Sequence, residues 1–246
     1  DQVISNMLNL DDRVILFAFP HEQPSYIPIS VLGWSPANEN MIESARQLFA
    51  SIEEILDVKF KESSNENAFN VISISQSSQS ITAGFSYFPN NFYELGSDVF
   101  ISKTFSNPIY SSSNLTNYDY EVLIHEIGHA LGLKHPFERD GNNNEILNPY
   151  EDQTLFTAMS YDDHPSTYTD IFRPLDLMAL TKLYGVNPSY LSGDDRYTFN
   201  DMKGVFIVDG GGIDVIDGSN SSSDIYIDLR PGAHSYSGAK SIYITS

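Results

Sequence analysis

The chain contains no cysteine. Disulfides and thiolate metal ligands are therefore excluded, and any metal must be held by nitrogen and oxygen donors. Basic residues are scarce: 13 Lys and Arg stand against 33 Asp and Glu, a net charge of −20. Phosphate-backbone binding needs basic patches, so nucleic acid is not an expected partner. No stretch approaches the roughly 20 apolar residues that a membrane helix requires, so no membrane span is expected. The segment from Asp1 onward has neither a charged n-region nor an apolar h-region, and no signal peptide is expected there. What remains is a chain of 246 residues, long enough for one large core or a core plus an appendage. Its acidity has two readings. One is a solvated surface; the other is calcium, a hard cation that takes carboxylate and carbonyl oxygens.

Hydrophobic periodicity organises the first two thirds. Residues 13–20 read as a strand ended by Pro20. Ser35 and Pro36 read as an N-cap and a first-turn proline, opening a helix to about residue 57. Within it Met41, Ala45, Leu48, Phe49, Ile52 and Leu56 recur at helical spacing. Strand-like segments follow near 58–61, 69–76, 83–88 and 98–103. A further helix starts near Thr116, whose spacing to Asp119 suits a capping box. A polar loop covers 136–154, and a third helix carries Pro174 in its first turn, Asp176 near its N-terminus and Gly185 just past its end. The order of elements predicts an α+β, mixed α/β core. Beyond Asn187 the composition shifts to Gly, Ser and Asp with short β-branched pieces, so the expected domains are 1–187 and a smaller β unit at 188–246.

The richest stretch is His125-Glu126-Ile127-Gly128-His129-Ala130-Leu131-Gly132-Leu133-Lys134-His135. Two histidines four apart share one face of a helix and can grip one metal ion. Glu126 is placed to act as a base on metal-bound water. Gly132 lets the chain leave the helix sharply, so that His135 can return as a third nitrogen donor. Three protein ligands with an open position is a catalytic rather than a structural zinc pattern. Leu123, Ile127, Ala130 and Leu131 point away from the histidine face and are expected to dock on the sheet. His21, His164 and His234 have no partner at ligand spacing.

Downstream lies Thr157-Ala158-Met159-Ser160-Tyr161. With the long histidine motif, it resembles the metzincin signature of a zinc helix followed by a Met-turn. Four further features resemble the serralysin family of secreted bacterial metalloproteases in that clan. Pro136 directly follows the third histidine; tyrosine stands two residues after Met159. Residues 174–185 read PLDLMALTKLYG, and residues 209–217 with 227–232 resemble the first strands of a calcium-binding β-roll. The resemblance implies a metzincin-like catalytic domain. Its expected parts are a twisted, mostly parallel sheet, an antiparallel edge strand, the zinc helix and the Met-turn, followed by the start of a β-roll or β-sandwich. It implies zinc held by His125, His129 and His135, with Tyr161 as a resting-state ligand that moves aside to donate to the oxyanion. Glu126 is implied to polarise the zinc-bound water and pass its proton to the leaving amine. Met159 is implied to be an apolar floor under the metal. Ala83, Gly84, Phe85 and Ser86 are implied to form an edge strand that binds an extended peptide, although the pattern itself fits an interior strand too.

For calcium, the resemblance implies the carbonyls of Leu191, Gly193 and Gly211 with Asp195, Asp209 and Asp214. Ile213 departs from the family's usual asparagine or glycine, and a calcium-free hairpin fits the same residues. The family continues through several calcium repeats to an export signal, so a fragment of a longer protein, ending within or before the β-roll, is expected. The expected function is a secreted, extracellular, monomeric zinc endopeptidase cleaving protein or peptide substrates. Two alternatives stay open: a surface or binding module with a vestigial or self-processing site, and a peptidase dedicated to one partner protein.

Overall fold

A computed structural model of the chain describes residues 13–64, 69–90, 92–103, 117–139, 143–164, 171–198, 205–230, 233–237 and 240–245. The backbone divides into two compact units, Asp1–Ile52 with Val58–Asp176, and Glu53–Asp57 with Leu177–Ser246.

The first unit is a mixed α/β layer. Its strands are β1 (Val14–Ala18), β2 (Ser35–Pro36), β3 (Lys59–Glu62), β4 (Ile72–Ser77), β5 (Gly84–Ser86) and β6 (Val99–Ser102). They form one sheet in the order β3-β1-β4-β6-β5, with β2 also pairing to β4. β3, β1, β4 and β6 run parallel; β5 returns antiparallel against β6, with Phe85 opposite Phe100. Ile72, Ile74, Val99, Phe100 and Ile101 are wholly buried in the two central strands, as expected where both faces of a parallel sheet are covered. A strand near 69–76 was expected; Phe69 is exposed and Asn70 has φ 56°, so β4 begins only after that turn.

Helix α1 (Glu39–Ile55) buries Met41, Ala45, Leu48, Phe49 and Ile52, the apolar face that the 3.6-residue spacing predicts. Its start differs from the expectation at Ser35 and Pro36. Those residues pair antiparallel with Gln76 and Ser75 as β2. The cap is Asn38, whose Oδ1 accepts the Met41 amide at 3.0 Å. Asparagine caps a helix as well as serine does, and a proline is tolerated at a strand margin where no amide is needed. Helices α2 (Asn117–Ala130) and α3 (Pro174–Tyr184) complete the set. Thr116, the expected cap of α2, lies outside the described residues. α2 packs on β5 and β6, and its buried Leu123, Ile127, Ala130 and Leu131 form the face away from the histidines.

The second unit is β-rich. β7 (Arg196–Thr198) and β9 (Val215–Asp217) pair in parallel. β8 (Val205–Val208), β10 (Ile225–Tyr226), β11 (His234–Ser237) and β12 (Lys240–Thr245) form a second sheet in the order β10-β11-β12-β8, with β12 and β8 parallel. No helix among the described residues is long and apolar enough to cross a membrane.

Candidate metal centre

Helix α2 delivers two imidazoles to one face, and its C-terminus delivers the third. Gly132 has φ 97°; its amide reaches the His129 carbonyl at 2.8 Å and the Leu133 amide reaches the Gly128 carbonyl at 2.9 Å. This pair of bonds is the Schellman ending that a left-handed glycine permits, and it turns the chain so that His135 faces the helix it has just left. His125 Nε2 and His129 Nε2 then lie 3.2 and 3.1 Å from His135 Nε2.

The outer nitrogens fix the tautomers. His125 Nδ1 donates to the Ala158 carbonyl at 2.8 Å and His129 Nδ1 to the Leu133 carbonyl at 2.7 Å. A carbonyl only accepts, so both rings carry their proton on Nδ1 and turn a lone pair inward. The Glu138 carboxylate lies 2.9 Å from His135 Nδ1 and favours the proton there too. Three inward lone pairs repel one another unless a cation sits between them. A tetrahedral ion about 2.0–2.1 Å from each nitrogen would space the donors roughly 3.3 Å apart. The donor set and its spacing therefore fit zinc. Burial and the neighbouring histidines hold His125 down to about 3, and burial lowers His129 to about 4, so both rings are neutral and ready to ligate.

Glu126 points to the sheet side of the same helix. Its Oε2 accepts the Ser86 hydroxyl at 2.8 Å, and burial pushes its carboxyl up to about 7 against that hydrogen bond. Gly84 makes room for it: a methyl group there would stand 2.7 Å from Glu126 Cγ and 2.8 Å from Oε1. β5 is the last strand of its sheet, so among the described strands its outer edge is unpaired. Ala83 keeps its carbonyl on the Ser102 amide at 2.8 Å, and Phe85 stacks on Phe100.

The turn at 157–161 closes the other side. Met159 is 2% exposed, and its sulfur would lie 2.5 Å from a methyl group added at Gly128. The thioether thus fills the hollow between the two histidine turns of α2. Tyr161 is exposed, with its ring 4.7 Å from that of His135 and 5.6 Å from that of His125. Phe137 stacks on His135 at 5.1 Å, 8° from parallel, and also meets Tyr161. Asp176 supports the turn from beneath. It accepts the Thr157 hydroxyl at 2.6 Å, the Ala158 amide at 2.7 Å and the Arg173 amide at 3.0 Å. The last is the returning half of a capping box at the start of α3. The same carboxylate therefore caps a helix and holds the residue whose carbonyl orients His125. Burial raises its pKa and these hydrogen bonds oppose that rise.

In the second unit Asp195, Asp209 and Asp214 bring carboxylate oxygens within 4.8 Å of one another. Asp214 also accepts the Asp195 amide at 3.0 Å, and Asp209 accepts the Gly211 amide at 2.7 Å. A methyl group at Gly212 would collide with the Gly193 carbonyl, and Leu191 turns with φ 44° beside Tyr190, whose carbonyl holds the Gly210 amide. Ile213 is 82% exposed and gives its amide to Asp194 at 2.9 Å, so its side chain leaves the turn's interior. The oxygen-rich donor chemistry suits a hard cation such as calcium.

Ser86 as a side-chain partner of Glu126, Glu138 behind His135, Phe137 against Tyr161, and Asp176 under the turn were not anticipated from sequence. Asp176 alone left a trace, as an acidic residue in a helix's first turn.

An imidazole triad beside a buried carboxylate is a donor set that metal-dependent hydrolases use. Comparison with known proteins narrows that class. No protein-family model matches the chain. It is 32% identical to the serralysin of Proteus mirabilis over 233 residues, covering 79% of this chain and 47% of that protein. It is 26% identical to a Photorhabdus sp. (strain Az29) serralysin over 256 residues (90% and 51%) and 29% identical to the metallopeptidase AprA of Pseudomonas marginalis over 239 (83% and 49%). The chain is thus related to the serralysin-type metalloproteases over most of its own length, and it spans about half the length of these relatives.

Proposed function

We propose that this chain carries the catalytic centre of a secreted zinc endopeptidase that hydrolyses extended peptide segments. The observation that carries the reading is the convergence of three Nε2 lone pairs beside a buried carboxylate, Glu126. His125, His129 and His135 would hold zinc, which would supply Lewis acidity to a water and to the scissile carbonyl. Glu126, with its proton affinity raised by burial to about 7, takes a proton from the attacking water at Oε1 and delivers it to the leaving amine. Ser86 holds Oε2 and so leaves Oε1 as the working atom. Tyr161, whose ring stands beside those of His125 and His135, would be a resting ligand of that ion and would donate a hydrogen bond to the oxyanion once substrate is bound. The outer edge of β5, at Ala83, Gly84, Phe85 and Ser86, takes the substrate as a further strand. Met159 is the apolar floor.

The second unit would bind calcium through Asp195, Asp209 and Asp214 with the carbonyls of Leu191, Gly193 and Gly211. The proposed catalytic region is 1–187 and the proposed calcium-binding region 188–246, a division by function that differs from the compact units, which part after Asp176. Names of the relatives, serralysin and metallopeptidase, support the same reaction. The test is a Glu126→Ala variant that keeps one zinc per chain. Casein cleavage is expected to fall by at least about three orders of magnitude, given the usual share of general-base catalysis and water orientation. Unchanged cleavage would remove Glu126 from the reaction.

A further inference from the structure

A cavity of about 360 Å³ opens beside the histidine triad and borders His125 and Glu126. Gly84 of β5 lines it, together with Tyr118, Glu121, Thr154 and Asp163. Three features of this wall are specific. Among the lining residues there are carboxylates, Glu121 and Asp163 besides Glu126, and neither lysine nor arginine. Glu121 is 6% exposed; its Oε2 is held by Arg173, which is not part of the lining, while its Oε1 is buried with no hydrogen-bond partner among the described residues. Asp163 is exposed. The rest of the wall is largely apolar, from Ala83, Val122, Ala158 and the Tyr118 ring.

A buried carboxylate oxygen without a donor is destabilising until one is supplied. A carboxylate nearer solvent adds attraction for a cation, and an apolar wall suits a methylene stem. We infer that this cavity receives the lysine or arginine side chain of a substrate residue next to the scissile bond, with Glu121 and Asp163 as the specificity-determining residues. The stem lies along Val122 and Tyr118, and the cationic head donates to Asp163; Glu121 Oε1, buried at rest, is reached by a shift of its side chain as the head enters. An acidic side chain in the same place meets two carboxylates and is rejected. Arg173 already neutralises one charge and burial raises the Glu121 carboxyl, so Asp163 contributes most of the selectivity and Glu121 a smaller share, and the selectivity is expected to be moderate.

This inference rests on the peptidase reading, and the experiment separates the two. Peptides identical except for Lys, Arg, Leu or Glu at each position flanking the cleaved bond are compared by kcat/KM. At one position Lys and Arg are expected to exceed Glu at least ~10-fold, in the range hydrogen-bonded pockets achieve. Glu121→Gln and, independently, Asp163→Asn are each expected to lower that ratio by ~3-fold or more; Asp163 is exposed, so its variant folds even if Glu121→Gln does not. Equal rates for Lys and Glu peptides, or a ratio that survives both substitutions, overturns the inference and leaves the peptidase reading standing. Binding of the same peptides to the metal-free chain by fluorescence anisotropy is the second readout. Tighter binding of the Lys peptide, weakened by Asp163→Asn, upholds the cavity assignment even if no peptide is cut, and equal binding overturns it.

Discussion

Replacing Asp176 with alanine removes the acceptor for three buried donors: the Thr157 hydroxyl, the Ala158 amide and the Arg173 amide. Each buried donor left unsatisfied costs about 1–3 kcal/mol. Partial relaxation and water entry recover some of this, so about 3–6 kcal/mol is expected, a large part of the roughly 5–15 kcal/mol of a typical fold. Asp176→Asn keeps one acceptor oxygen and should lose about 1–3 kcal/mol. The consequence beyond stability runs through Ala158, whose carbonyl takes the His125 Nδ1 proton at 2.8 Å. A loosened Ala158 frees the His125 ring, and loss of such an outer contact typically weakens metal binding about 10–100-fold. Urea unfolding of chelator-treated protein reads the first effect, and zinc competition with a chromophoric chelator reads the second in Asp176→Asn. An asparagine variant with native zinc affinity would show that Asp176 caps α3 and does nothing for the metal centre. Native stability in the alanine variant would refute the hydrogen-bond reasoning altogether.

Gly128→Ala places a methyl group 2.5 Å from the Met159 sulfur; overpacking of about 1–3 kcal/mol is expected in thermal unfolding, and a double variant with Met159→Ala should recover part of it. Gly84→Ala pushes on Glu126 at Cγ and Oε1, so kcat should fall at least ~10-fold with zinc content unchanged; full activity would show that Glu126 has slack. The depressed pKa values of His125 and His129, about 3 and 4, set the sign of the pH response. An unfolded chain protonates its histidines near pH 6.5. The stability those neutral rings contribute is thus present above about 6.5 and lost as pH falls toward 4, while the raised carboxyls of Glu121 and Glu126 work in the opposite sense as pH rises toward 7. Zinc release on acidification should have its midpoint below 6.5, by dialysis and metal analysis; a midpoint above 6.5 contradicts the burial of the triad.

Local signals made the triad legible. His125, His129 and His135 are tied by helical spacing and one glycine, with no help needed from distant residues. The apolar face of α1 was legible for the same reason, since Met41 to Ile52 repeat with the helix. Its start was not, because Ser35 and Pro36 resemble a cap while Asn38 does the capping and the earlier pair serves a sheet partner some forty residues on. The supports of the site were hidden by sequence distance: Ser86 and Glu126 are 40 residues apart, and Thr157 and Asp176 are 19 apart. No periodicity joins them; only the packing of α2 on β5 and the turn over α3's first residues does. The acidic cavity was hidden likewise, since Glu121 and Asp163 meet only through the fold.

The most direct test of the central claim is a peptide-library cleavage assay on the 246-residue chain, run with chelator and then with zinc restored to one equivalent. Cleavage that is abolished by the chelator and recovered with stoichiometric zinc is the predicted result. Turnover that resists chelation, or no turnover in a chain holding one zinc, would contradict a zinc peptidase centre built on His125, His129 and His135.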